Sequence, residues 1–134
     1  MAPVTPAALK PLRRPWLWLG LWLAAILAVV VASLLPATDL PPVPTGADKL
    51  EHFAGYAVLA AIAVQLFATR AALWRAGVAL VVLGIALELA QFLFTSTRMM
   101  DGRDALANAL GVAAGLATVL TPWRDQLLRL QRER

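Results

Sequence analysis

Cysteine is absent from the 134-residue sequence, which excludes disulfides, thiolate nucleophiles and thiolate metal ligands. Charge is scarce: Asp, Glu, Lys and Arg make up only 15% of the chain, against about 25% in an ordinary soluble domain. There is one histidine, His52, and one tyrosine, Tyr56. Long polar linkers and internal repeats are also lacking, and the length allows one domain. What is abundant is apolar residues, 60% of the sequence and more than a soluble core of this size needs. In a soluble protein the net charge of +4 would raise nucleic acid as a partner. Here the basic residues flank apolar runs, which points to anionic membrane lipids and away from nucleic acid.

A membrane-spanning helix takes about 20 mostly apolar residues, because each adds about 1.5 Å across a hydrocarbon core about 30 Å thick. Residues 16–35 meet this requirement with no charge, followed by residues 50–68, 76–94 and 104–121. The expected fold is therefore all-α, a polytopic membrane protein with four transmembrane helices in a small bundle at residues 16–121. Residues 1–15 are expected to be a disordered cytoplasmic segment. The tail at 122–134 sets Leu127, Leu128 and Leu130 among four arginines and is expected to lie along the membrane surface. Lys10, Arg13 and Arg14 before the first run imitate a signal peptide. The run is longer than the usual 7–15-residue signal core and has no clear small-residue cleavage site, so it is read as a retained anchor.

The basic residues orient the bundle. Four crossings place both termini on one side, and that side, with the loop at Arg70 and Arg75, carries nine basic residues against three, Lys49, Arg98 and Arg103, on the other. Positive residues favour the cytoplasm, so both termini are expected there. Nearly every polar group near an apolar run then falls at the extracytoplasmic end. The tryptophans need no special role, since most lie where an aromatic belt is expected.

At 100° per residue, Asp48, His52, Gly55 and Leu59 share a face of the second helix, with Glu51 and Tyr56 on its flanks. Gly77, Gly84, Glu88, Gln91 and Thr95 share a face of the third, and Asp104, Asn108, Gly111 and Gly115 a face of the fourth. Small residues let membrane helices approach closely, so Gly55, Gly84, Gly111 and Gly115 are the expected packing positions. Three stripes combining glycine with polar residues imply that these helices pack face inward around a polar cluster. Glu88 lies about six residues inside its run, roughly 9 Å deep, where a carboxylate facing lipid would cost a few kcal/mol. It must face the bundle, either protonated or beside His52, Lys49, Arg98 or Arg103. A purely structural tie between helices is the bland alternative.

His52, with Glu88 and Asp104, forms the candidate catalytic set, an imidazole base among carboxylates. Asp48, Lys49, Tyr56, Gln91, Arg98, Asp101, Arg103 and Asn108 are the candidate ligand-binding residues, the arginines being suited to bidentate contact with phosphate or carboxylate. No cofactor is expected and no metal ligand is assigned. The set is oxygen-rich, however, and would suit manganese, magnesium or calcium better than structural zinc. There is no obvious nucleophile, since Thr95, Ser96 and Thr97 lie in no recognisable motif.

The ordered set Asp48-Lys49, His52, Tyr56 and Leu59, then Glu88 and Gln91, then Arg98, Asp101, Asp104, Asn108, Gly111 and Gly115 resembles the pattern of the VanZ-like family over residues 48–118. Glu51 and Met99-Met100 are not part of that pattern. The resemblance implies a small multi-pass protein of the bacterial cytoplasmic (inner) membrane and cell envelope. The family takes its name from a member associated with resistance to the glycopeptide teicoplanin, so a glycopeptide-related ligand is one expectation. No settled reaction comes with it, and a shared site can serve different ligands. Three functions compete: binding of a lipid or envelope head group, an enzyme acting on such a group by acid–base chemistry, and a transporter. The last is weakest because the polar residues stop short of the cytoplasmic half. Nothing in the sequence fixes the oligomeric state.

Overall fold

The structure, a computed structural model, describes residues 7–44, 46–97 and 99–133. The fold is helical throughout, with no strand among the described residues: α1 (Pro15–Leu34), α2 (Asp48–Leu66), α3 (Arg70–Phe94), α4 (Gly102–Ala117) and α5 (Gln126–Arg132). Short 3₁₀ turns occupy Ala37–Asp39, Thr118–Leu120 and Pro122–Asp125. Pro15 opens α1 at a position whose N–H would have no helical partner. Leu35 is extended ahead of Pro36, and α1 ends there. α3 starts six residues before its apolar run. Thr69 caps it by accepting a hydrogen bond from the Ala72 N–H at 3.1 Å, so the cap sets the start and hydropathy does not.

α1 and α3 are long and apolar enough to cross a membrane. α4 reaches that standard only with its continuation into the tail, the two parts being bent by 80°. α2 falls short because Asp48, Lys49 and Glu51 crowd its first turn. Two or three of the four expected spans therefore qualify by length and composition.

α2 is the central helix. Ala60 and Ala63 are fully buried, and Leu59, Val64, Leu66, Leu80 and Val112 complete an apolar core around them. Its most extensive partner is α4. At Gly111 a Cβ would overlap the Phe53 carbonyl, and at Gly115 the Ala57 carbonyl. Only glycine allows the two backbones to touch in this way. A Cβ at Gly77 would meet the Leu116 side chain at 2.6 Å, and one at Gly84 would meet Asn108 at 3.1 Å. Nothing lies within 4 Å of where a Cβ at Gly55 would stand, so its expected packing role is not realised.

α1 is peripheral, with only Pro15 and Trp22 buried. Trp22 is not a belt residue. Its indole N–H donates to the Leu59 carbonyl at 2.9 Å, and its ring meets Phe67 edge-on at 5.6 Å. Trp16, Trp74 and Trp123 are exposed, as a belt would require.

Residues 7–14 are packed against the bundle, not disordered. The Lys10 N–H donates to the Leu66 carbonyl at 2.8 Å, and the Ala68 N–H donates to the Ala8 carbonyl at 2.8 Å. Leu9 and Leu12 are buried. The end of α2 leaves carbonyls without helical donors, and this extended segment supplies one. The Lys10 ammonium reaches the Arg124 carbonyl and the Asp125 carboxylate, the latter at 2.9 Å. Gln65 donates to the Trp123 carbonyl at 2.7 Å and accepts from the Leu127 N–H at 3.0 Å. Residues 1–6 lie outside the described residues.

Leucine at Gly111 or Gly115 should therefore abolish most of the folded yield, since the obstacle is backbone and cannot move aside. Leucine at Gly20 or Gly55, where nothing lies within 4 Å, should leave yield within about twofold. Size-exclusion profiles of the detergent-solubilised variants check this, and equal tolerance at all four would contradict the packing.

Candidate functional site

Five helical residues converge at the end of the bundle that carries the starts of α2 and α4 and the last third of α3. Lys49 and His52 come from α2, Asp104 and Asn108 from α4, and Glu88 from α3. The one-turn spacings Asp48/His52 and Asp104/Asn108 stack each pair along one helix face. Gly84, one turn before Glu88, leaves room for Asn108 between α3 and α4.

The Lys49 ammonium is the hub of the outer layer, lying 3.0 Å from Asp104, 3.0 Å from Asp101 and 3.2 Å from Asp48. Beneath it, His52 Nδ1 and Asn108 Oδ1 are 2.9 Å apart. The Asn108 oxygen can only accept, so Nδ1 carries a hydrogen in this pair. Nε2 faces Asp104 Oδ2 at 3.8 Å, and Nδ1 lies 3.9 Å from Glu88 Oε1. Glu88 is only 3% exposed. Its Oε2 accepts a long bond from the Asp101 N–H at 3.4 Å, and its Oε1 has no hydrogen bond among the described residues. One ligand atom each from His52, Glu88 and Asp104 lies within 4.8 Å of the others.

Asp101 caps α4 by accepting from the Arg103 N–H at 2.9 Å. That bond, together with the Lys49 ammonium, holds its carboxyl below the usual carboxylate range. Arg103 is exposed, and its recorded bond to the site is through the backbone alone. Asp48 is exposed and reaches the cluster only through Lys49.

One candidate ligand-binding residue lies elsewhere. Gln91 points to α1 and donates to the Ser33 carbonyl at 2.9 Å. Tyr56 is 4% exposed and belongs to the apolar core beneath His52. Arg98 lies outside the described residues. The central place of Lys49 is the feature that helix periodicity did not single out, since two of its three partners come from another helix and its cap. The pairing of one lysine with three nearby aspartates was the available signal.

The arrangement sets four carboxylates against one ammonium, with an imidazole among them. Such a site can accept hydrogen bonds from hydroxyl or ammonium groups, move a proton through His52, or hold a cation. Comparison with known protein families, with curated proteins and with solved structures finds no match to any of them. The VanZ-like resemblance thus rests on the residue pattern alone.

Replacing Lys49 with Met should destabilise the protein near neutral pH by leaving the aspartates to repel one another. The lowered Asp101 carboxyl makes a contribution that is present above its ordinary value of 3.8 and lost as the pH falls further through its folded value. The melting-temperature gap between wild type and Lys49→Met should accordingly hold between pH 7 and 5 and narrow below about 4. A gap that widens on acidification would contradict the hub role.

Proposed function

We propose that the chain is a VanZ-like integral protein of the bacterial inner membrane that binds a lipid or cell-envelope head group. In this reading all four long helices span the bilayer, both termini are cytoplasmic and the Lys49–His52–Glu88–Asp104 cluster opens to the outer leaflet. The observation that carries it is Glu88: a carboxylate buried to 3% exposure beside a histidine and a second carboxylate. Interhelical hydrogen bonds in membranes contribute only about 0.6 kcal/mol on average. That return is small for an ionisable group at such depth, and intramembrane ionisable groups are functional candidates for this reason. In this reading α2 spans the bilayer although its composition falls short, because its polar first turn would sit at head-group level. A ligand of this class would accommodate a role in teicoplanin-type glycopeptide resistance.

An enzyme acting on an envelope lipid is the second reading, favoured by an imidazole whose Nε2 lies 3.8 Å from the Asp104 carboxylate. His52 would be the base and Glu88 or Asp104 the acid, with water as the only evident nucleophile. Transport is disfavoured, since below the cluster the core is Leu59, Ala60, Ala63, Val64, Leu66, Leu80 and Val112.

Reporter fusions at residue 134 and near Ala71 should read cytoplasmic, and those near Pro42 and Met100 extracytoplasmic. A cytoplasmic signal at Pro42 would move the site to the other leaflet. The near-isosteric changes Glu88→Gln and His52→Gln keep hydrogen-bonding capacity and remove titration. Folded yield should change little, while an envelope phenotype, read as lipid composition or glycopeptide sensitivity, should be lost. An intact phenotype with normal folding would make the titrating groups dispensable.

A further inference from the structure

Around Lys49 and His52 stand four carboxylates, those of Asp48, Asp101, Asp104 and Glu88, and among the described residues the Lys49 ammonium pairs with the three aspartates. Among the described residues Glu88 has one long backbone hydrogen bond, and its side chain is 4% exposed. Its other oxygen lies 3.9 Å from His52 Nδ1, and His52 Nε2 lies 3.8 Å from Asp104 Oδ2. Both distances are too long for hydrogen bonds, so two carboxylates flank the imidazole with no direct bond to it among the described residues. Two carboxylates in so largely buried a site are costly unless a positive charge offsets them.

We propose that His52, Glu88 and Asp104 bind a divalent cation of the magnesium–manganese class. Neighbouring ligands around such an ion, at about 2.1 Å from it, are about 3 Å apart. The three atoms here lie within 4.8 Å of one another, so side-chain movements on the order of 1 Å would complete the set. The second layer is already in place. A metal-bound histidine almost always donates its other ring N–H to an oxygen, and His52 does so to Asn108 at 2.9 Å. Lys49 engages Asp104 through Oδ1, which leaves Oδ2 for the ion. One imidazole with two carboxylates, and no thiolate anywhere in the chain, favours an oxygen-preferring octahedral ion over structural zinc.

The ion deepens the head-group function and rests on it for its purpose. Without it the cluster is an assembly of acceptors and would repel phosphate. With it, the open coordination positions would accept a phosphate or carboxylate oxygen of an envelope lipid.

The test is a manganese titration of the full-length protein in detergent, read by electron paramagnetic resonance, with the lipid that co-purifies measured on the same preparation. Wild type should bind one Mn²⁺ per chain, with ¹⁴N coupling from an imidazole and with competition by Mg²⁺. His52→Gln should lose the nitrogen coupling, and Glu88→Gln should bind at least tenfold more weakly. Asp39→Asn, remote from the site, should match wild type. Absence of saturable binding in folded wild type, or equal binding in Glu88→Gln, would overturn the inference and leave a shared proton as the positive charge. Lipid retained by a protein that binds no manganese would overturn this inference alone. Manganese bound by a protein that retains no lipid would support the ion and overturn the head-group function.

Discussion

The contact between the backbones of α2 and α4 is the constraint on which the site depends. Gly111 and Gly115 remove the two Cβ atoms that would overlap the Phe53 and Ala57 carbonyls. With the helices that close, the side chains one and two turns above the glycines meet across the gap: Asn108 with His52 at 2.9 Å and Asp104 with Lys49 at 3.0 Å. A helix separation larger by one methyl group would turn both bonds into water-separated contacts. The packing glycines and the polar residues are consecutive stretches of one helix face, so the same face serves packing below and chemistry above.

Glu88 gives the cluster its character. Exposed carboxylates around a lysine, such as Asp48 and Asp101, form an ordinary surface network of small energetic weight. A carboxylate that is almost wholly buried has no such freedom. Its position follows from α3 running the length of the bundle, with Gly84 one turn below making space for Asn108. The opposite end of the molecule is closed by Gln65, Lys10 and the tail, which bond to one another and to the end of α2. One end is therefore satisfied within the protein, and the other carries unbalanced acceptors, the arrangement expected if ligands approach from one side.

Much of this was legible in the chain, and the exceptions have physical causes. The stripes Asp104/Asn108/Gly111/Gly115 and Gly84/Glu88 follow from helical periodicity, which is local, and their convergence with His52 follows from small residues marking contact faces. Gln91 lies on the same stripe as Glu88 yet serves α1, because periodicity assigns a face but not the neighbour it meets. Residues 7–14 carry no helical or strand pattern, and their order comes from backbone bonds to α2 that leave no trace in side-chain type. α3 begins at Arg70 because of its Thr69 cap, ahead of the hydropathy signal. Trp22 resembles the belt tryptophans in sequence, and only the Leu59 carbonyl opposite its indole distinguishes it.

If the buried Glu88 end of the bundle receives an envelope head group, as proposed, the protein should leave its own membrane with that lipid bound. Native mass spectrometry of the protein extracted from its own membrane tests it most directly. Wild type should carry a stoichiometric polar-lipid adduct that Glu88→Gln, recovered at the same folded yield, does not carry. Identical adducts on both proteins, or none on wild type, would contradict the account.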